Sequence, residues 1–190
     1  MHPTLRNRFI LALGSNATAD VASNAILLRD ALARVKKAGL TPQAVSRFWR
    51  TPAFPAGAGP DFVNACALVE SAMPPDAVLS VLHGIEAAMG RVRTTRWAQR
   101  VIDIDLLAAE DAVLPDRQTV AHWIDLPPDA QAVQTPPGLI LPHPRLHQRG
   151  FVLVPMAEVA PDWHHPLLGR SVTQMLAALD PAEIAAIAPI

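Results

Sequence analysis

The chain has 190 residues, 51% of them apolar and 17% charged, with a net charge near −1. That length supports one domain with a substantial core, and the composition excludes a disordered chain. Near-neutrality excludes a molecule-wide basic surface for nucleic acid or anionic membrane.

One cysteine, Cys66, excludes an internal disulfide. With no signal-peptide pattern and no apolar run of spanning length, it gives the expectation of a cytoplasmic protein away from membranes. In chain order, Phe9–Leu13 is an apolar run stopped by Gly14-Ser15-Asn16 and reads as a strand buried on both faces. Asp20 is a candidate N-cap for a helix in which Val21, Ala25, Leu28, Leu32 and Val35 recur at i+3/i+4 spacing, closing at Lys36, Lys37 and Gly39. Gln43–Arg50 reads as a second strand, Thr51–Pro60 as a Gly/Pro-rich loop, and Phe62–Glu70 as a third strand paired with the second. Cys66 lies in that third run and reads as a core residue. Pro74-Pro75-Asp76 starts a helix with Val78, Leu82, Ile85 and Met89 on one face and Gly90 at its end. Val101–Ala108 alternates as a fourth strand. Residues 110–142 lack periodicity and read as a long loop with a short apolar piece at Val120–Leu126. Phe151–Val159 reads as a short helix and Val172–Leu179 as another, followed by an Ala-rich tail after Pro181.

Strand, helix, strand, strand, helix, strand is the order of the ferredoxin-like split βαβ arrangement. The expected fold is therefore α+β: a four-stranded antiparallel sheet with helices on one face and a C-terminal helical extension. The other face and its loops are left for ligands. No repeat or internal boundary divides the chain, so residues 1–190 read as a single domain with a loop insertion at about 116–137.

The chemistry concentrates in Arg91–Leu107, where Arg91, Arg93, Arg96, Arg100 and Trp97 run directly into Val-Ile-Asp-Ile-Asp-Leu. Alternation along a strand puts Asp103 and Asp105 on one face and Ile102, Ile104 and Leu106 on the other. Adjacent carboxylates repel unless a cation lies between them, and hard oxygens suit Mg²⁺ shared with phosphates. Guanidinium groups match phosphate oxygens bidentately, and an aromatic can stack on a base. An isolated Asp-x-Asp on a strand is usually a solvated face, and an arginine cluster is usually surface. Side by side they point to a nucleoside triphosphate.

Four pieces carry a resemblance: LGSN at Leu13–Asn16, TPAFPAGAGPDFVNA at Thr51–Ala65, IEAAMGRVRTTRWAQRVIDIDLL at Ile85–Leu107, and LPHPRLHQRGFVLVP at Leu141–Pro155. In this order and spacing, from Phe9 to Pro166, the chain resembles the 6-hydroxymethyl-7,8-dihydropterin pyrophosphokinase family. The resemblance implies the ferredoxin-like fold. It also implies transfer of the β,γ-pyrophosphoryl unit of ATP to the pterin hydroxymethyl group with release of AMP, in folate biosynthesis. Asp103 and Asp105 would then hold two Mg²⁺ ions, with Arg91, Arg93 and Arg100 as the catalytic, phosphate-facing arginines. His83, Glu86, Arg96, Trp97, Leu106, His143 and Arg149 would complete the ATP side. On the pterin side the resemblance implies Asn64 against the ring edge, Phe62 and Phe151 stacked on its two faces, and Thr51, Pro52, Ala53 and Asp103 around them. The expected protein is a monomer acting on small molecules. It departs from the usual family pattern at Ala98-Gln99 (Gly-Pro elsewhere), Phe62 (commonly Tyr), His83 (often Gln) and the Asp116–Pro137 extension.

Other readings fit less well. An RNA-binding sheet needs exposed strand aromatics, whereas this chain has no tyrosine, 5% aromatics and an acidic pair on the strand in question. His143 and His147 have an H-x₃-H spacing without a third zinc ligand nearby in sequence. A paralogue for another pterin alcohol shares the motifs. A catalytically silent homologue has no need of the intact Asp pair and arginines.

Overall fold

The computed structural model describes residues 7–53, 59–91 and 101–190. The elements are β1 (Asn7–Ser15), α1 (Val21–Lys37), β2 (Thr41–Val45), β3 (Trp49–Thr51), β4 (Phe62–Ser71), α2 (Pro75–Ala88) and β5 (Asp103–Ala109). They continue as α3 (Arg117–Asp125), α4 (Pro128–Val133), a 3₁₀ turn (Leu146–Gln148), α5 (Gly150–Val159), α6 (Val172–Ala177), α7 (Pro181–Ala185) and β6 (Ala188–Pro189). The described strands form one antiparallel sheet in the order β5-β1-β4-β3-β6, with β2 also paired to β4. The α+β sheet order expected from sequence is present, with two additions.

First, the strand expected over Gln43–Arg50 is divided. Ser46 keeps a two-way link to Cys66, its N–H donating to the Cys66 carbonyl (2.9 Å) and its Oγ accepting from the Cys66 N–H (2.9 Å). The chain then leaves the ladder so that the Arg47 backbone N–H and Nε can donate to the two oxygens of Glu158 on α5, each at 2.8 Å. Second, the Ala-rich tail returns as β6, pairing Pro189 with Trp49 and Ala188 with Arg50.

α1 forms as its pattern dictates. Asp20 accepts from Ala22 and Ser23 N–H (3.2 and 2.9 Å), and Ala25, Leu28, Ala31 and Val35 are buried against the sheet. α1 and α2 cover the face bearing Phe9, Leu11, Leu13, Val63, Ala65, Ile104 and Leu106. The opposite face carries Ile10, Cys66, Leu107 and Ala108, an apolar surface that requires cover. The C-terminal extension supplies it through α5 and α6. That face is therefore open to ligands only at the end holding Asn64 and Asp103, not along its length. Cys66 is fully buried there, its Sγ 3.6 Å from the Val152 carbonyl, and burial pushes the thiol pKa up.

The expected loop at 116–137 contains helices. Asp116 caps α3 through Thr119 N–H (2.9 Å), and Val120 and Ile124 pack with Ile140, Trp123 and Leu168 as a small separate core. A reciprocal backbone pair between Leu114 and Leu141 (2.8 and 3.0 Å) closes the neck of this segment. Among the described residues, no helix is long and apolar enough to cross a membrane.

Candidate active site

One row of cross-strand neighbours defines the site. Reading across the sheet, Pro189 pairs with Trp49, Trp49 with Asn64, Asn64 with Gly14, and Gly14 with Asp103. Directly paired residues share a face, so the amide of Asn64 and the carboxylate of Asp103 flank a glycine on the same surface. In the next row, Asp105 pairs with Ala12 and Ala12 with Cys66. Small residues on β1 thus leave space beside both carboxylates.

Gly14 is required by close approach. A Cβ built there would lie 2.7 Å from Asn64 Oδ1, under any real contact distance. Its absence lets the Asn64 side chain lie over β1 while Nδ2 donates to Thr51 Oγ1 at 2.7 Å. Thr51 and Ala53 are buried, Pro52 is exposed, and Phe62, paired with Thr51, is half-buried two residues from Asn64 on the same face. The rest of LGSN secures the strand end. Ser15 Oγ donates to the Val101 carbonyl (2.7 Å), and Asn24, fully buried on α1, closes the 16–20 turn with Nδ2 donating to the Thr18 carbonyl (2.9 Å) and Oδ1 accepting from Thr18 N–H (3.2 Å).

The acidic end of the row is held by α2. Gly90 adopts φ +90, a left-handed conformation that only glycine takes without penalty. It closes α2 with the paired bonds of a Schellman turn: Arg91 N–H to the Glu86 carbonyl (3.0 Å) and Gly90 N–H to the Ala87 carbonyl (3.1 Å). The reversal carries the Arg91 side chain back, and its Nη1 ion-pairs with both Glu86 and Asp103. Glu86 is 1% exposed and also accepts from Ile104 N–H at 2.8 Å, the amide between the two aspartates. A buried carboxylate needs such partners. Here they tie α2, Arg91 and β5 into one unit.

The late segment runs along β5. His143 N–H donates to the Leu107 carbonyl (2.8 Å), and the His143 Nδ1 accepts from Arg145 N–H (3.2 Å), which leaves Nε2 as the ring's donor nitrogen. Desolvation, reinforced by Arg149 and Arg145, pushes this imidazole down to about 3, with Asp103 opposing. His143 is therefore neutral at physiological pH. Arg145 Nη2 also donates to the Gln131 carbonyl, fastening α4 to this segment. Arg149 places its guanidinium carbon 5.5 Å from the ring centre of Phe151, which is 39% exposed at the start of α5. His147 pairs edge-on with His165 (6.3 Å between centroids), and among the described residues no third His, Cys, Asp or Glu joins the H-x₃-H pair in a metal set.

Of the sequence candidates, the fold brings Asp103, Asp105, Asn64, Thr51 and Phe62 to one end of one sheet face. Arg91 stands beside them, with His143 alongside β5. Leu106 is buried in the main core under α2, away from the carboxylate face, and His83 is exposed on α2. Arg93, Arg96, Trp97 and Arg100 lie outside the described residues. Gly14 and Trp49 are site-row residues that sequence reasoning passed over. A lone Gly in an otherwise apolar strand is the signal that marks a close approach, whereas nothing local marks Trp49.

Two alternating carboxylates beside small neighbours fit hard divalent cations. Among the described residues no three His, Cys, Asp or Glu side chains cluster as a metal set, so phosphate or water oxygens would have to complete any shell.

The family model described as 7,8-dihydro-6-hydroxymethylpterin-pyrophosphokinase (HPPK) matches residues 10–161. The chain is 36% identical over 178 residues to the 2-amino-4-hydroxy-6-hydroxymethyldihydropteridine pyrophosphokinase of Methylorubrum extorquens, covering 93% of this chain and 96% of that one. It is 33% identical over 171 residues to the protein of the same name from Pseudomonas aeruginosa, covering 90% and 91%. Its fold is similar to the crystal structure of wild-type Plasmodium falciparum HPPK-DHPS with STZ-DHP, at a TM-score of 0.66 and 15% identity, over 91% of this chain and 43% of that one. The chain thus spans less than half the length of that structure, and the likeness bears on fold alone. The family match and the relatives above 30% identity extend over the elements that carry the Asn64–Gly14–Asp103 row, and the chain belongs to the 7,8-dihydro-6-hydroxymethylpterin-pyrophosphokinase family.

Proposed function

We propose that this chain transfers the pyrophosphoryl unit of ATP to the hydroxymethyl group of 6-hydroxymethyl-7,8-dihydropterin, giving AMP and the pterin diphosphate in folate biosynthesis. The observation that carries the reading is the cross-sheet row in which a ring-pairing amide, Asn64, and a metal-type carboxylate, Asp103, lie either side of Gly14. Acceptor and phosphate chain are thereby held side by side on one rigid surface, which is the positioning that phosphoryl-type transfer needs most. Two Mg²⁺ ions on Asp103 and Asp105 would neutralise charge on the triphosphate and polarise its bridging oxygens. Arg91 fixes the rotamer of Asp103, neutral His143 offers a donor nitrogen near Asp103, and Asn64, oriented by Thr51, offers Oδ1 to a ring N–H. Phe62 and Phe151 provide flat faces for the heterocycle. The protein is a monomer in this reading, cytoplasmic, with small-molecule substrates and no nucleic-acid partner.

The test is product identity. Incubation with ATP, Mg²⁺ and hydroxymethyldihydropterin gives AMP and pterin diphosphate in equal amounts, dependent on the acceptor. ADP as the main nucleotide, formed by attack at the γ-phosphorus, would overturn the reading.

Gly14→Ala tests the row itself. The added methyl forces Asn64 off its position, and losing one well-placed hydrogen-bonding amide raises KM for the pterin about tenfold, or ~1.4 kcal/mol. KM for ATP stays within about twofold. Steady-state kinetics on both substrates checks it, and equal changes in the two constants would detach Asn64 from the pterin.

A further inference from the structure

The matched family region ends at residue 161, and the last stretch of chain, 180–190, lies beyond it. That stretch makes two contacts, one to each side of the proposed pterin pocket. On one side, Glu183 Oε1 accepts from the N–H of Gly150, the first residue of α5, at 2.8 Å. The preceding residue, Arg149, gives this helix no side-chain cap, so an unpaired helix-start donor is satisfied from 33 residues away. A carboxylate is the favoured group at that end of the helix dipole. The approach is close: a Cβ on Gly150 would lie 2.7 Å from Glu183 Oε1 and 3.1 Å from Ile184 Cδ1. The next residue is Phe151.

On the other side, Ala188 and Pro189 pair with Arg50 and Trp49, and Ile190 N–H donates to the Phe48 carbonyl at 3.0 Å. β3 then leads directly to Thr51, the hydroxyl that holds Asn64. Asp180, accepting from Ala182 N–H at 2.9 Å, starts the short helix that spaces the two contacts. One segment thus grips the base of the Phe151 wall and the strand of the Thr51–Asn64 wall.

We propose that residues 180–190 brace the pterin pocket, with Glu183 and the Ala188–Ile190 backbone as positioning groups that set the separation of its two walls. This rests on the pterin assignment above. It gives the tail a role chiefly in the pterin's affinity, since Asp103 and Asp105 lie at the far end of the row, while Arg149 of the ATP side adjoins the Glu183 contact alone.

The test uses the full chain, Glu183→Ala, Glu183→Gln and a chain ending at Ala186. The shortened chain raises KM for hydroxymethyldihydropterin about five- to thirtyfold while KM for ATP stays within about twofold; Glu183→Ala raises the pterin KM by a similar factor and, because Arg149 precedes Gly150, raises the ATP KM by a smaller one. Glu183→Gln, whose amide oxygen still accepts from Gly150, recovers most of the loss. Amide hydrogen exchange rises at 149–153 in Glu183→Ala and at 48–52 in the shortened chain. Pterin KM within twofold of the parent in both variants would overturn the proposal. So would a parallel rise in both KM values together with a lowered melting temperature, since that is the mark of general destabilisation. If the parent chain forms no acceptor-dependent AMP, the pterin assignment fails. Exchange still decides the brace in that case: unchanged rates at both segments would sink it.

Discussion

Asp103→Asn and Asp105→Asn each lower turnover by about a thousandfold or more, at least ~4 kcal/mol of transition-state stabilisation, because each removes a full charge from the pair proposed to hold magnesium. Their effects on stability differ. Asp105→Asn relieves carboxylate repulsion and leaves the melting temperature unchanged or slightly raised. Asp103 is already compensated, since Arg91 ion-pairs with it, so Asp103→Asn gives up a partly buried ion pair and lowers the melting temperature. From sequence alone both substitutions read as relief of repulsion, and the Arg91 contact separates them. Kinetics and thermal melts on the two single variants and the double variant decide the matter. Near-normal turnover in the double variant at ordinary Mg²⁺ would remove the metal role.

Glu86→Ala has the largest effect expected on folding. The carboxylate accepts from Ile104 N–H and pairs with Arg91 while 1% exposed. Truncation strands the buried Ile104 amide and leaves Arg91 only Asp103 of its two carboxylate partners, which together cost about 2–4 kcal/mol. Turnover falls as well, by about a hundredfold, because Arg91 loses the anchor through which it aims Asp103. Glu86→Gln keeps an acceptor for Ile104 and falls between the two in both measures. Denaturant unfolding beside steady-state kinetics checks this. The family resemblance placed Glu86 among the ATP contacts, which predicts the opposite pattern: a raised KM for ATP with stability intact.

The sequence made the regular parts legible because their causes are local. The i+3/i+4 apolar spacing of Val21–Val35 and the alternation in Ile102–Leu106 state which face is buried, and burial follows. Features created by distant partners were not legible. Arg47 leaves its strand for Glu158, 111 residues on, and no pattern around Arg47 announces it. The helices within 116–137 run nine and six residues, too short for periodicity to separate from loop, and α3 is stabilised by packing on Ile140 and Leu168. β6 is two residues, one of them proline, so only its neighbour makes it a strand. At the site, Asp103, Asp105 and Asn64 could be named from motif order. That Gly14 lies between them could not, because cross-strand register is a property of three separate segments.

Cys66, the chain's single thiol, gives the molecule a clock for its own opening. It is sealed under α5 against the Val152 carbonyl, with its pKa raised by burial, so an alkylating reagent reacts only while that helix is lifted from the sheet. The labelling rate therefore counts excursions of the layer whose first turn carries Phe151, without any introduced probe. Ligands that hold α5 down would slow the clock, and those that bind elsewhere would leave it running.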